Sequence, residues 1–156
     1  MYTDMTSDKD ARKQPQQRED YRFFHALNTR WMDNDVYGHV NNVNYYSFFD
    51  TAVAAFLLER AQLDFVNDPT VGLVIETSCT YFAPIAFPDN LAVGVRAAKV
   101  GKSSVRYEVA IFKNDSPTAC AQGYFVHVYV ERASQRPASI PEKVRQALTS
   151  IVVMTE

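Results

Sequence analysis

The stretch of residues 43–58 restricts the fold more than any other part of the chain. Twelve of its sixteen residues are apolar, and the exceptions are Asn44, Ser47, Asp50 and Thr51. Asn44, Ser47 and Thr51 recur at i, i+3 and i+7, the spacing of a single narrow polar stripe on a helix. A helix that is apolar nearly all round is expected to be buried rather than laid on a surface. At 1.5 Å per residue it would run about 24 Å, comparable to the width of a small sheet. Asn41 or Asn42 is the N-cap candidate, since either amide oxygen can accept from the free N–H groups of a first turn.

Strand signals surround this helix. Residues 21–31 are aromatic and apolar and read as a first strand. After the turn at Asn67-Asp68-Pro69, four more runs follow: residues 71–81, rich in β-branched side chains, then 91–98, 105–111 and 125–130. Leu91, Val93, Val95 and Ala97 alternate with Ala92, Gly94, Arg96 and Ala98, the period of a half-buried strand. Short connections between such runs favour antiparallel pairing. Residues 139–150 read as a last helix, with Ser139 and Glu142 as a capping box and Pro141 in its first turn. The order is strand, buried helix, four strands, short helix. This predicts an α+β architecture with a five-stranded antiparallel sheet curled around one long helix. Five strands cannot cover such a helix completely, so a dimer with a continuous sheet is expected.

The chain has 156 residues, 47% hydrophobic and 22% charged, which fits one soluble domain. The reading divides it into a disordered polar leader over residues 1–20, a single domain over 21–135, and a C-terminal helix and tail over 136–156. A net charge of -2 gives no global attraction to nucleic acid or to anionic lipid. The leader lacks the apolar run of a secretory signal, and no stretch approaches the ~18 apolar residues of a membrane span. Cys79 and Cys120 have no CxxC or Cys/His spacing beside them, and a reducing, cytoplasmic setting is expected.

Polar chemistry concentrates between the first strand and the helix, in residues 30–42. Gly38 permits φ > 0 or a close approach to a ligand. A helix start follows, with free N–H groups and positive partial charge able to stabilise an anion that develops during acyl transfer. A carboxylate just ahead of it could activate water or attack a carbonyl itself. Turn and cap chemistry also accounts for so Asx-rich a loop. An EF-hand reading of Asp33-x-Asp35-x-x-Gly38 fails, because Tyr37 and Asn44 stand at the fifth and twelfth positions. Asp35 and His39 offer two metal ligands without a third nearby. No GxSxG elbow is present, and neither cysteine has a histidine close in sequence. His25 and His127 lie in strand-like runs and read as structural. Asp50, the one acid inside the helix, is the second candidate for catalysis. Gly101-Lys102-Ser103-Ser104 is a tight turn whose lysine and hydroxyls could also meet a phosphate.

The run Arg30-Trp31-x-Asp33-x-Asp35-x-x-Gly38-His39-Val40-Asn41-Asn42-x-x-Tyr45 strongly resembles the 4-hydroxybenzoyl-CoA thioesterase-like branch of the hotdog-fold acyl-CoA thioesterases. Three further stretches agree in the same order. They are Val71-Gly72-x-Val74-Ile75-Glu76 with Thr80-Tyr81-Phe82-Ala83-Pro84, then Asp89-x-Leu91, then Gly101-Lys102-Ser103-Ser104-Val105. The resemblance implies the hotdog fold, paired into homodimers or homotetramers. It implies Asp35 as the catalytic acid, and the backbone N–H around Asn42 as the donor that holds the thioester carbonyl. His39 is expected to orient Asp35 or to contact substrate, and Gly38, Asn41 and Tyr45 to help bind it. Lys102, Ser103 and Ser104 are expected to meet the coenzyme A phosphates or pantetheine, often from a neighbouring subunit. No metal or redox cofactor is implied, coenzyme A being part of the substrate. The loop resembles members acting on fatty acyl thioesters more than those acting on an aromatic acyl group. The expected activity is hydrolysis of an acyl-CoA; the other reading is a non-catalytic protein that binds acyl-CoA or an acyl carrier protein.

Overall fold

The computed structural model describes residues 13–153. Five strands form one antiparallel sheet: β1 (Phe23–Asn28), β2 (Thr70–Tyr81), β3 (Asn90–Val100), β4 (Ser104–Lys113) and β5 (Ala121–Glu131). Their spatial order is β1-β3-β4-β5-β2. The long helix α1 (Asn44–Ala61) joins β1 to β2, which are the two edges of the sheet. The chain must therefore cross the whole width of the sheet between them. At 18 residues, α1 is long enough to do so, about 27 Å against about 19 Å for five strands.

The alternation of β4 shows how the layers join. Val105, Tyr107, Val109 and Ile111 are fully buried beneath α1, where Phe49, Ala52, Val53 and Phe56 meet them. Arg106 and Glu108 point to the other face, where Glu108 pairs with Arg96 of β3 at 2.8 Å. Ala110 and Phe112 share that outer face, yet they are buried under Tyr21 and Ala119 in a second, smaller cluster.

Several expectations change. The last helix, α2, spans Glu142–Leu148 and starts after Pro141 with no side-chain cap, so the Ser139–Glu142 capping box does not form. The Ile140 N–H donates to the Lys102 carbonyl at 2.9 Å, which keeps the chain extended up to Pro141. Of the polar leader, residues 1–12 lie outside the described residues, but those after them are not loose. The Gln16 N–H donates to Gln122 Oε1 at 2.7 Å, and Gln122 Nε2 donates to the Gln14 carbonyl at 3.0 Å. The Arg18 N–H donates to the Pro117 carbonyl at 2.7 Å. A buried glutamine on β5 thus fixes a segment whose composition alone reads as unstructured. Nor is α1 buried all round: Ser47, Asp50, Thr51 and Leu58 are exposed along one face. One curled sheet covers only part of a helix's circumference. Among the described residues, no helix is long and apolar enough to cross a membrane.

His127 lies on the inner face of β5, 7% exposed, with edge-to-face contacts to Tyr107 and Phe125. Its Nδ1 has no hydrogen-bond partner among the described residues. Burial pushes its pKa down to about 4. The unfolded chain would take up a proton there below about pH 6.5, and the native chain refuses it until about pH 4. His127 therefore leaves stability untouched above pH ~6.5 and lowers it progressively as the pH falls towards 4. Replacing it by phenylalanine (His127→Phe) should remove that part of the acid loss, up to about 3 kcal/mol, in urea unfolding curves between pH 7 and pH 4. Parallel curves for wild type and variant would show that the imidazole is not held neutral.

Candidate active site

The connection from β1 to α1 is held from both sides. The Thr29 N–H and hydroxyl both donate to the Asp89 carbonyl, and the Val40 N–H donates to the Ile85 carbonyl at 2.7 Å. Asn34 Oδ1 accepts from the Phe87 N–H at 3.1 Å. These bonds fasten the loop to the β2–β3 connection, so its side chains project from a fixed frame.

The two acids of this loop have separate tasks. Asp33 is buried, and its carboxylate accepts from the Arg30 N–H at 2.7 Å and from Arg30 Nη2 at 2.8 Å. Its carbonyl accepts from the Asn41 N–H and from Asn44 Nδ2, at 2.8 and 3.0 Å. Asp33 therefore organises the loop and the helix start. Asp35 is only partly buried. One carboxylate oxygen, Oδ1, accepts from the Tyr37 N–H at 2.8 Å. The other has no hydrogen bond among the described residues, which leaves one oxygen open for chemistry. Gly38 closes the turn at φ 80°, its N–H donating to the Asp35 carbonyl at 3.0 Å. A Cβ there would meet nothing, so the left-handed backbone, rather than lack of space, favours glycine.

At the helix start, nearly every N–H is taken. The Asn41 N–H goes to the Asp33 carbonyl, and the Asn44 and Tyr45 N–H groups go to the carbonyls of Asn41 and Asn42. The Val43 N–H goes to Asn41 Oδ1 at 3.1 Å in a turn just ahead of α1; the N-cap position is Val43, without a side-chain cap, rather than Asn41 or Asn42. Among the described residues, only the Asn42 N–H of the 41–45 segment has no acceptor. Asn42 lines a groove of about 330 Å³ together with His39, Val40, Tyr45, Tyr81 and the Phe82-Ala83-Pro84 wall. Burial, with the Cys120 and Cys79 thiols nearby, pushes the Tyr45 pKa up to about 12, so its hydroxyl stays neutral.

His39 lines this groove, and its carbonyl accepts the Asp35 N–H at 2.8 Å; among the described residues no hydrogen bond joins its imidazole to the Asp35 carboxylate. Asp35 does not itself line the groove. Asp50 is exposed on the open face of α1 and carries no ion pair among the described residues. Lys102, Ser103 and Ser104 are not brought to the loop. Asn28, at the end of β1 next to the loop, pairs with Asn90, whereas the Lys102 turn follows Val100. The length of β3, about 33 Å, separates them within one chain. Sequence reasoning assigned Tyr81 no role, yet its hydroxyl donates to the Asn42 carbonyl at 3.0 Å. Its position in the resembling Thr80–Pro84 stretch was the available signal.

A curled five-stranded antiparallel sheet around one long helix is the hotdog architecture. The chain belongs to the thioesterase-like superfamily, whose family model matches residues 29–148. It is similar to the PA5185 protein of Pseudomonas aeruginosa strain PAO1, at 50% identity and TM-score 0.88, over 92% of this chain and all of that one. The PA2801 protein of Pseudomonas aeruginosa matches at 28% identity and TM-score 0.75, over 80% of this chain and 96% of that one. Slr0204 of Synechocystis, a 1,4-dihydroxy-2-naphthoyl-CoA thioesterase, shares the fold at TM-score 0.75 and 18% identity, over 83% and 96% of the two chains.

The division between the acids can be tested without substrate. Asp33→Asn should lower the unfolding free energy by about 1–3 kcal/mol, since it weakens a buried, charge-assisted network. Asp35→Asn should change it by less than about 0.5 kcal/mol. Thermal and urea unfolding of the two variants checks this, and equal losses would contradict the assignment.

Proposed function

We propose that the chain is an acyl-CoA thioesterase, acting on a fatty acyl group and releasing free acid and coenzyme A. The single observation that carries this reading is that one hydrogen-bonded loop holds both an Asp35 carboxylate oxygen and an Asn42 N–H that have no partner among the described residues. The thioester carbonyl accepts from the Asn42 N–H, where the helix start favours the oxyanion. Asp35 then either takes a proton from an attacking water or attacks the carbonyl itself. A thiolate leaves readily because a thiol's pKa of about 8.5 lies near neutrality. The apolar groove beside Asn42 suits an acyl chain, and His39 and Tyr45 contact substrate there. No cofactor enters the scheme.

We propose that the chain assembles as a homodimer or homotetramer. The exposed Leu73, Val74 and Ile75 on edge strand β2 leave apolar surface for a second copy, and the open, mostly polar face of α1 leaves room for one. A second copy could also deliver Lys102, Ser103 and Ser104 to the coenzyme A end of a substrate bound at the first copy's loop. The two free thiols suit a cytoplasmic setting.

Release of free thiol from a panel of acyl-CoAs of different chain length tests the activity. Asp35→Asn should reduce kcat by about 10²–10⁴, the usual range for losing an acid–base group. Binding of acyl-CoA without turnover on any chain length would establish the non-catalytic reading instead. Lys102→Ala should raise KM by about three- to tenfold with little effect on kcat, because a phosphate contact binds ground state and transition state alike. A selective fall in kcat would place Lys102 closer to the chemistry.

A further inference from the structure

We infer that Tyr81 is a positioning residue, whose hydroxyl holds the peptide that follows Asn42 and thereby aims the Asn42 N–H; the inference rests on the thioesterase reading above. Tyr81 is the last residue of β2, while Asn42 lies just ahead of α1, so this contact ties the sheet edge directly to the helix start. Its ring stands edge-to-face to Tyr45 at 4.8 Å and 78°. That packing points the hydroxyl at the Asn42 carbonyl, 3.0 Å away.

The same carbonyl accepts a second, longer bond of 3.3 Å from the Tyr45 N–H. Asn42 itself precedes α1 and lacks the support of a regular helical turn. Of the two peptide groups flanking its Cα, the following one is fixed by Tyr81 through its C=O and by Asn41 through the Val43 N–H. The preceding one carries the acceptor-free N–H and is held at its other end, where the Asn41 C=O accepts from the Asn44 N–H at 2.9 Å. Fixing one plane limits rotation of the other about the Asn42 backbone. A donor must be held close to its productive direction before the reaction, because reorientation at the moment of charge development costs rate. Burial, with the Cys79 thiol nearby, holds the Tyr81 hydroxyl above the usual tyrosine range, so it remains a donor throughout the neutral range.

Tyr81→Phe tests this in the full-length protein, since it keeps the ring against Tyr45 and removes only the donor. On the best acyl-CoA of the panel, kcat should fall by about tenfold with KM within about twofold of wild type. Amide hydrogen exchange, read without substrate, should quicken by about fivefold or more at Val43 and Tyr45 and stay unchanged across β5. Tyr81→Leu, which also removes the ring, should raise KM in addition. A Tyr81→Phe variant with wild-type kcat overturns the positioning role, as does loss of kcat in Tyr81→Leu alone, which would assign the effect to ring packing. Unchanged exchange at Val43 and Tyr45 overturns it as well. If the wild type turns over no acyl-CoA, the thioesterase reading falls, and the exchange data alone then decide whether Tyr81 orders the helix start.

Discussion

The packing of α1 into the hollow of the sheet governs everything else in this protein. Because α1 connects the two edge strands, its inner stripe of Phe49, Ala52, Val53 and Phe56 must lie across all the strands between them. That burial removes a large apolar area from water at about 25 cal/mol per Å². It also sets where α1 begins. The helix start falls at the end of the sheet where β1 finishes and β2 turns towards β3, so the β1–α1 and β2–β3 connections meet at one place. The loop of residues 30–42 is compressed into that junction and braced against Ile85, Phe87 and Asp89.

Within the junction, polar groups are divided between holding and acting. The buried Asp33, together with Asn41 and Asn44, consumes most of the hydrogen-bonding capacity of the loop and the first turn. What they leave over, one oxygen of Asp35 and the N–H of Asn42, is what an acyl transfer reaction needs. A buried carboxylate that accepts several N–H bonds is well suited to a structural task, and a partly exposed one with a free lone pair is better suited to meet substrate.

The buried helix was legible in its composition, and the strand positions in their alternation and turn residues, because these patterns are set by local geometry and by which face meets water. Boundaries were less legible. The helix runs on to Ala61, past the mostly apolar stretch, since Glu59 and Arg60 only need to reach solvent at its end. The Ser139–Glu142 capping pattern failed for a non-local reason, the bond from Ile140 to the β3–β4 turn. Gln14 and Gln16 read as leader because nothing local announces that Gln122, more than a hundred positions away, will pair with them.

The sequence by itself determined the class of fold, the existence of an acidic, glycine-containing loop ahead of a buried helix, and membership in a thioesterase-like family through several motifs in fixed order. Only the tertiary structure decided which asparate-rich position does what. It buried Asp33 and left Asp35 open, consumed the Asn41 side chain in a turn ahead of α1, placed His39 at the groove, and set the Lys102 turn at the far end of β3. It also brought Tyr81 to Asn42, across 39 positions of chain. The reason is physical. Residue type and spacing fix what a side chain can do, while its burial and its partners depend on which distant segments the sheet register and the helix crossing bring beside it.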